Sequence, residues 1–312
     1  MTGAALFGDV LAGRVAERES QIVLGLDPDP GNLWPAPARA GGPSTGTHAA
    51  EQAVAAHCRA LIDAAGPACV AVKPQLARFE ALGAGGGAVL REVCDHAREA
   101  GLLVIADGKR GDIDVTAAAY AASLGDGLDT PFGRLAGLRA ELATVNPLMG
   151  GDAIAPFVNA ARRSGGGILV LVRTSNPGAA DIEDLELARG GTVWEALAAL
   201  VTAAGEPGVG ASGLSDVGAV VGATAPGHLA RARELMPHAP FLLPGVGAQG
   251  GRVEELGAAF APGRAAGLVS ASRSIAEAHA RDGSNPGPAA RDEAERLRAT
   301  AWELSAGAPA MG

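Results

Sequence analysis

Lysine is nearly missing from this chain. Of its 25 basic residues only two, Lys73 and Lys109, are lysines; the other 23 are arginines. Each of the two closes an apolar run, ACVAVK and LLVIADGK. Arginine does not give up its proton in a protein, whereas lysine can. The pair are therefore candidates for chemistry, the plain alternative being lysines that merely fit where they stand. Aromatics make up only 3% of the residues, so the core must be built from Val, Leu, Ile and Ala. Cysteine is sparse: Cys58, Cys69 and Cys94 are odd in number and lack CxxC spacing, against a disulfide framework or a zinc site. Cys58 and Cys94 lie in helical patterns and read as core packing. Excess positive charge is also absent; a formal net charge of −9 argues against a broad nucleic-acid-binding surface. No apolar run reaches the ~18 residues that would span a membrane. The first twenty residues meet Asp9 and Arg14 before any long apolar run, unlike a signal peptide. A cytoplasmic protein is expected.

What is present is a regular alternation of apolar runs and helical patterns. Runs at 21–26, 69–72, 102–106, 143–145, 168–172, 217–221, 241–243 and 266–269 read as strands. They are continuously apolar, as a sheet covered on both faces requires. Helical patterns cover 4–18, 47–65 (with Thr47 as N-cap), 88–100, 112–123, 152–164, 193–204, 226–236 and 251–260, and 275–280 and 289–304 close the chain. No internal repeat is visible. Eight strand–helix units close most simply as a (β/α)₈ TIM barrel, a fold that commonly takes ~250 residues as one domain; a doubly wound open sheet is the alternative. One domain over 1–312 is expected, with 305–312 a disordered tail. The stretches 125–137 and 205–215 read as insertions without a derivable role.

A barrel brings the carboxyl ends of all its strands to one mouth, where chemistry sits. Two kinds of residue gather there. The loop PGVGAQGG after the seventh run has four glycines, and Arg273 follows the eighth. Backbone N–H groups freed by glycine, together with a guanidinium fork, suit a phosphate; a tight turn is the bland reading of the glycines. The second kind is a row of alternating charge, Lys73, Asp107, Lys109 and Asp112. A structural ion-pair network is the alternative, although buried charge contributes little to stability.

Asp107-Gly-Lys109-Arg-Gly-Asp112, a D-x-K-x-x-D motif after a barrel strand, resembles the signature of the orotidine 5′-monophosphate decarboxylases, in wording closest to their bacterial type 2 branch. Val72-Lys73-Pro74-Gln75, Asp27 and Thr116 extend the resemblance, which covers about 21–275. It implies decarboxylation of orotidine 5′-monophosphate to UMP and CO₂, the last step of de novo pyrimidine synthesis, without metal or organic cofactor. Lys73, Asp107, Lys109 and Asp112 would form the catalytic charge network, and Lys109 would protonate C6. Asp112 and Thr116 would reach into the neighbouring subunit's site, making the active unit a homodimer. Asp27 would hold ribose hydroxyls together with Lys73. Thr174 or, better, Ser175 would bond the pyrimidine. Gln249 and Arg273 would hold the phosphate, with the Gly247 N–H as a further donor. The rivals are a Mg²⁺-dependent sugar-phosphate decarboxylase or aldolase, which EDTA would inhibit; a Schiff-base aldolase, which borohydride would trap; and a non-catalytic nucleotide-binding protein.

Overall fold

The computed structural model describes residues 5–42, 45–224, 226–247 and 249–307. Eight parallel strands are β1 (Ile22–Leu26), β2 (Ala71–Pro74), β3 (Leu103–Arg110), β4 (Leu142–Val145), β5 (Gly167–Arg173), β6 (Val217–Val221), β7 (Phe241–Leu243) and β8 (Gly267–Ala271). Each pairs with its neighbours in chain order, and β8 returns to β1 through Ile22↔Val269, Val23↔Ser270 and Leu24↔Ala271. That closure makes the fold a (β/α)₈ TIM barrel and excludes the open sheet.

The strands read as continuous apolar runs because both faces are covered. Ile22, Leu24, Val72, Val104 and Val170 point outward into the layer shared with the helices. Val23, Ala71, Leu103, Ile105, Leu142, Leu169, Val220, Leu242 and Leu268 fill the lumen. Helix α1 (Phe7–Arg18) precedes the barrel, and its Phe7, Leu11 and Val15 join the lumen cluster, plugging the end where the strands begin. The outer helices are α2 (Thr47–Ala65), α3 (Gly86–Glu99), α4 (Asp114–Leu124), α5 (Gly151–Ser164), α6 (Val193–Gly205), α7 (Pro226–Leu235) and, closing the chain, α8 (Pro286–Leu304). Cys58, Cys69 and Cys94 are all buried free thiols, and all three pack in the outer layer.

Several sequence expectations are corrected. Thr47 does not cap α2; Gly46, at φ 89°, takes that place. Helix α4 starts at Asp114 rather than 112, because Asp112 instead accepts the Ile113 N–H at 2.8 Å. The stretch 125–137 holds an antiparallel hairpin, Leu128–Thr130 with Gly133–Leu135, stitched by an Asp129–Arg134 ion pair of 3.1 Å. The stretch 205–215 is tied to α1, since Asp9 accepts the N–H groups of Ala211 and Ser212 at 3.2 and 2.7 Å.

The helix expected over 251–260 is absent. Two 3₁₀ turns, Val253–Glu255 and Gly257–Phe260, stand there. Val253, Leu256 and Ala259 are all buried, and a three-residue spacing matches the 3₁₀ repeat rather than the α repeat. The helix expected over 275–280 is likewise replaced by two short turns, Arg273–Ala276 and Ala278–Arg281. Residues 305–307 do not belong to a disordered tail. Ser305–Gly307 form a turn, and the buried Gln21 amide donates to the Ser305 hydroxyl at 2.6 Å. Residues 308–312 lie outside the described residues.

Candidate active site

Side chains alternate along a strand, so the residues two positions beyond each lumen-filling side chain also face inward. Near the mouth the lumen turns polar by this rule. Lys73 follows Ala71, Asp107 follows Ile105, Thr144 follows Leu142 and Ser270 follows Leu268. These four side chains line a cavity of about 370 Å³ at the carboxyl ends of the strands.

Asp107 is the centre of the constellation. Its Oδ2 accepts from Lys73 Nζ at 2.6 Å and from Gln75 Nε2 at 3.3 Å. Its Oδ1 accepts from Lys109 Nζ at 2.6 Å and from the Thr144 hydroxyl at 3.0 Å. Four donors fill the four lone-pair directions of one carboxylate. Burial by itself pushes the Asp107 carboxyl up, but the Lys73 and Lys109 ammoniums outweigh it and hold the group down at about 2. The two lysine side chains differ in access: Lys73 is 7% exposed and Lys109 43%.

Lys109 is presented by an irregular strand. Ala106 pairs with Ala143 and Arg110 with Val145, so four steps along β3 face two along β4. Such a bulge re-aims side chains and is frequent beside active sites. Lys109 itself sits at φ 46°, in the left-handed region that costs a non-glycine residue ~1–2 kcal/mol.

The other expected site residues divide in two. Asp27, Thr174, Ser175, Gln249 and Arg273 all line the cavity. Asp27 and Arg273 are exposed, and neither has an ion-pair partner among the described residues. Ser175 donates its hydroxyl to Gln249 Oε1 at 2.8 Å. The Thr174 hydroxyl is engaged by Glu183 Oε1 at 2.9 Å and by Asn176 Oδ1 at 2.7 Å, which leaves Ser175 the freer of the two.

Asp112, Thr116 and Gly247 do not line it. Gly247, at φ 78°, lies where a Cβ would come within 2.7 Å of the Ser274 Cβ, so the position requires glycine. Its N–H already donates to the Gly251 carbonyl at 2.9 Å and is not a free phosphate donor in this conformation. Asp112 and Thr116 lie beside apolar side chains that face outward: Ile113 is 54% exposed, Val115 77% and Leu148 77%. The loops after β3 and β4 that carry them touch, for a Cβ on Gly111 would meet the Asn146 carbonyl at 2.9 Å.

Gln75, Thr144 and Ser270 are polar site residues to which the sequence analysis assigns no role. The signal for Gln75 is its place two residues after Lys73. Thr144 has only the polar break it makes between Ala143 and Val145. Among the described residues no group of three or more His, Cys, Asp or Glu side chains converges as metal ligands.

A TIM barrel whose mouth holds a buried carboxylate between two lysines, beside a glycine-rich loop and an unpaired arginine, belongs to the class of barrel enzymes that act on small phosphorylated substrates. The particular family follows from comparison. The model of the orotidine 5′-phosphate decarboxylase / HUMPS family matches residues 20–284, and the chain belongs to that family. It is 42% identical over 294 residues to the orotidine 5′-phosphate decarboxylase of Deinococcus radiodurans, covering 94% of this chain and 95% of that one. The enzyme of the same name from Rhodopirellula baltica is 40% identical over 279 residues, covering 88% and 90%. Among solved structures, Leishmania donovani OMP decarboxylase superposes with a TM-score of 0.70 at 31% identity, covering 95% of this chain and 99% of that one. The UMP synthase of the same organism gives 0.71 at 32% identity; the match covers 96% of this chain but only 57% of that longer one.

Proposed function

We propose that this chain decarboxylates orotidine 5′-monophosphate to UMP and CO₂ in pyrimidine biosynthesis. The observation that carries the reading is Asp107 held between the Lys73 and Lys109 ammoniums, 2.6 Å from each, inside a cavity large enough for a nucleotide. Loss of CO₂ breaks the C6–carboxylate bond and leaves the electron pair on a ring carbon. A fixed ammonium beside that carbon stabilises the developing charge and then supplies the proton. Lys109, the more open of the two, is that donor; it becomes the neutral amine as the C6–H bond forms and regains its proton from solvent. Lys73 and Asp107 fix its position, so little reorganisation is required during the reaction. Enzymes lower barriers by ~8–23 kcal/mol, and a carbanion without an electron sink calls for the upper end.

The substrate is held along its length. Asp27 and Lys73 take the ribose hydroxyls, Ser175 the pyrimidine edge, and Gln249 with Arg273 the phosphate. Phosphate binding energy, remote from C6, is then available to close the glycine-rich loop and complete the charged site. The active unit in this reading is a cytoplasmic homodimer. The exposed Ile113, Val115 and Leu148 form its interface, and Asp112 and Thr116 reach the partner's cavity. The positive charge is supplied by the two lysines, with no metal or organic cofactor.

The test is the ultraviolet absorbance change of orotidine 5′-monophosphate in the presence of EDTA. Turnover undiminished by the chelator is expected. An unchanged spectrum under conditions where UMP binds would reduce the protein to a nucleotide binder, and loss of activity with EDTA would favour a metal-dependent mechanism.

A further inference from the structure

We propose that Thr144 is a positioning residue for this reaction, setting the geometry of Asp107 and Lys109 at once through a single hydroxyl. The inference rests on the decarboxylase reading and adds a residue to it. Thr144 is 1% exposed and stands on β4, across from the β3 bulge that carries both groups. Its hydroxyl donates to Asp107 Oδ1 at 3.0 Å and accepts the backbone N–H of Lys109 at 2.9 Å. A hydroxyl has one proton to give and lone pairs to receive, and both capacities are used here.

The second bond matters because of where Lys109 sits. The bulge removes its N–H from the regular ladder between β3 and β4, and this partly buried N–H takes its partner from a side chain instead. Thr144 provides that partner and so holds the left-handed backbone turn at Lys109. The first bond fixes the rotation of the Asp107 carboxylate, whose same oxygen takes the Lys109 ammonium. Lys109 is thereby anchored at both ends, by its own N–H and by its Nζ, to partners that share one hydroxyl. Val at this position would keep the shape and lose both bonds.

Three variants test this: Thr144→Val, Thr144→Ser and Thr144→Cys, each assayed for kcat and KM with orotidine 5′-monophosphate and for UMP binding. Thr144→Val should lower kcat by about tenfold to a hundredfold, the effect of losing a buried hydrogen bond to a charged group. KM and the UMP Kd should stay within about threefold, because the proposed phosphate and pyrimidine contacts lie in the segments after β5, β7 and β8. Thr144→Ser, which keeps the hydroxyl, should recover most of kcat. A role confined to packing would give the reverse order, Val at or above Ser. Should Thr144→Val fail to fold, Thr144→Cys decides: retained UMP binding with a depressed kcat supports the proposal. Wild-type kcat in either hydroxyl-free variant overturns it. Absence of turnover in the unsubstituted protein is a separate result, which would remove the decarboxylase reading and this inference with it.

Discussion

The Ser175 hydroxyl donates to Gln249 Oε1 at 2.8 Å, joining the loop after β5 to the loop after β7 across the cavity mouth. One end of this bond lies where the pyrimidine is proposed to sit and the other where the phosphate would sit. In that reading each side chain has two duties, one to the ligand and one to its neighbour.

Residues in contact give non-additive effects. Gln249→Ala should raise KM for orotidine 5′-monophosphate by about tenfold or more, corresponding to loss of a hydrogen bond to a charged group. Ser175→Ala should lower kcat/KM by a similar factor. The double variant should lose less than the product of the two. A double-mutant cycle on kcat/KM measures the coupling; strict multiplicativity would mean that the bond has no part in the bound state.

Lys109→Ala should abolish turnover while UMP still binds with near-native affinity, since the proposed phosphate contacts, Gln249 and Arg273, do not include it. The shared-site reading adds a mixing experiment. Lys109→Ala subunits combined with Asp112→Ala subunits should regain part of the activity that neither has alone, because each heterodimer rebuilds one intact site. Heterodimers that form but stay inactive would place Asp112 outside the partner's site.

The Asp107 carboxyl predicts how stability responds to acid. Its pKa falls from an ordinary 3.8 to about 2 on folding. A depressed folded pKa means that the contribution is complete above about pH 4 and is lost as the pH falls toward 2. By linkage the contribution is about 2 kcal/mol. The stability difference between the wild type and Asp107→Asn, from urea unfolding, should accordingly shrink by about that amount between pH 5 and pH 2. A difference that stays constant over this range would show that Asp107 is not held ionised by its neighbours. The same depression implies that any acid limb in the rate above pH 5 belongs to another group.

Much of this site could be read from the chain because barrel topology converts a local pattern into a shared location. Apolar runs ending in Lys73, Asp107 and Lys109 needed only the fold to bring them together. Thr144 stayed hidden for a physical reason: a β-branched residue suits any strand, and its hydroxyl acquires a purpose only through the bulge opposite, which composition does not announce. The Leu128–Leu135 hairpin escaped because its strands are three residues long and lack alternation, although Pro131 and Gly133 mark its turn. The 3₁₀ turns at Val253–Glu255 and Gly257–Phe260 read as a helix in the sequence because Glu254, Glu255 and the Ala pair favour one. The three-residue burial period of Val253, Leu256 and Ala259 decides otherwise. Gly247 looked like a phosphate donor from its position in a glycine-rich loop, but that loop spends the N–H on its own closure.

The rarity of lysine has a practical corollary at the bench. Both side-chain amines of the protein open onto the cavity, one nearly enclosed and one accessible. An acylating reagent selective for amines thus has few other targets, and its attack on Lys109 reports whether the mouth is empty or occupied. Coupling this protein to a surface or a dye through lysine would, for the same reason, modify the proposed catalytic centre itself.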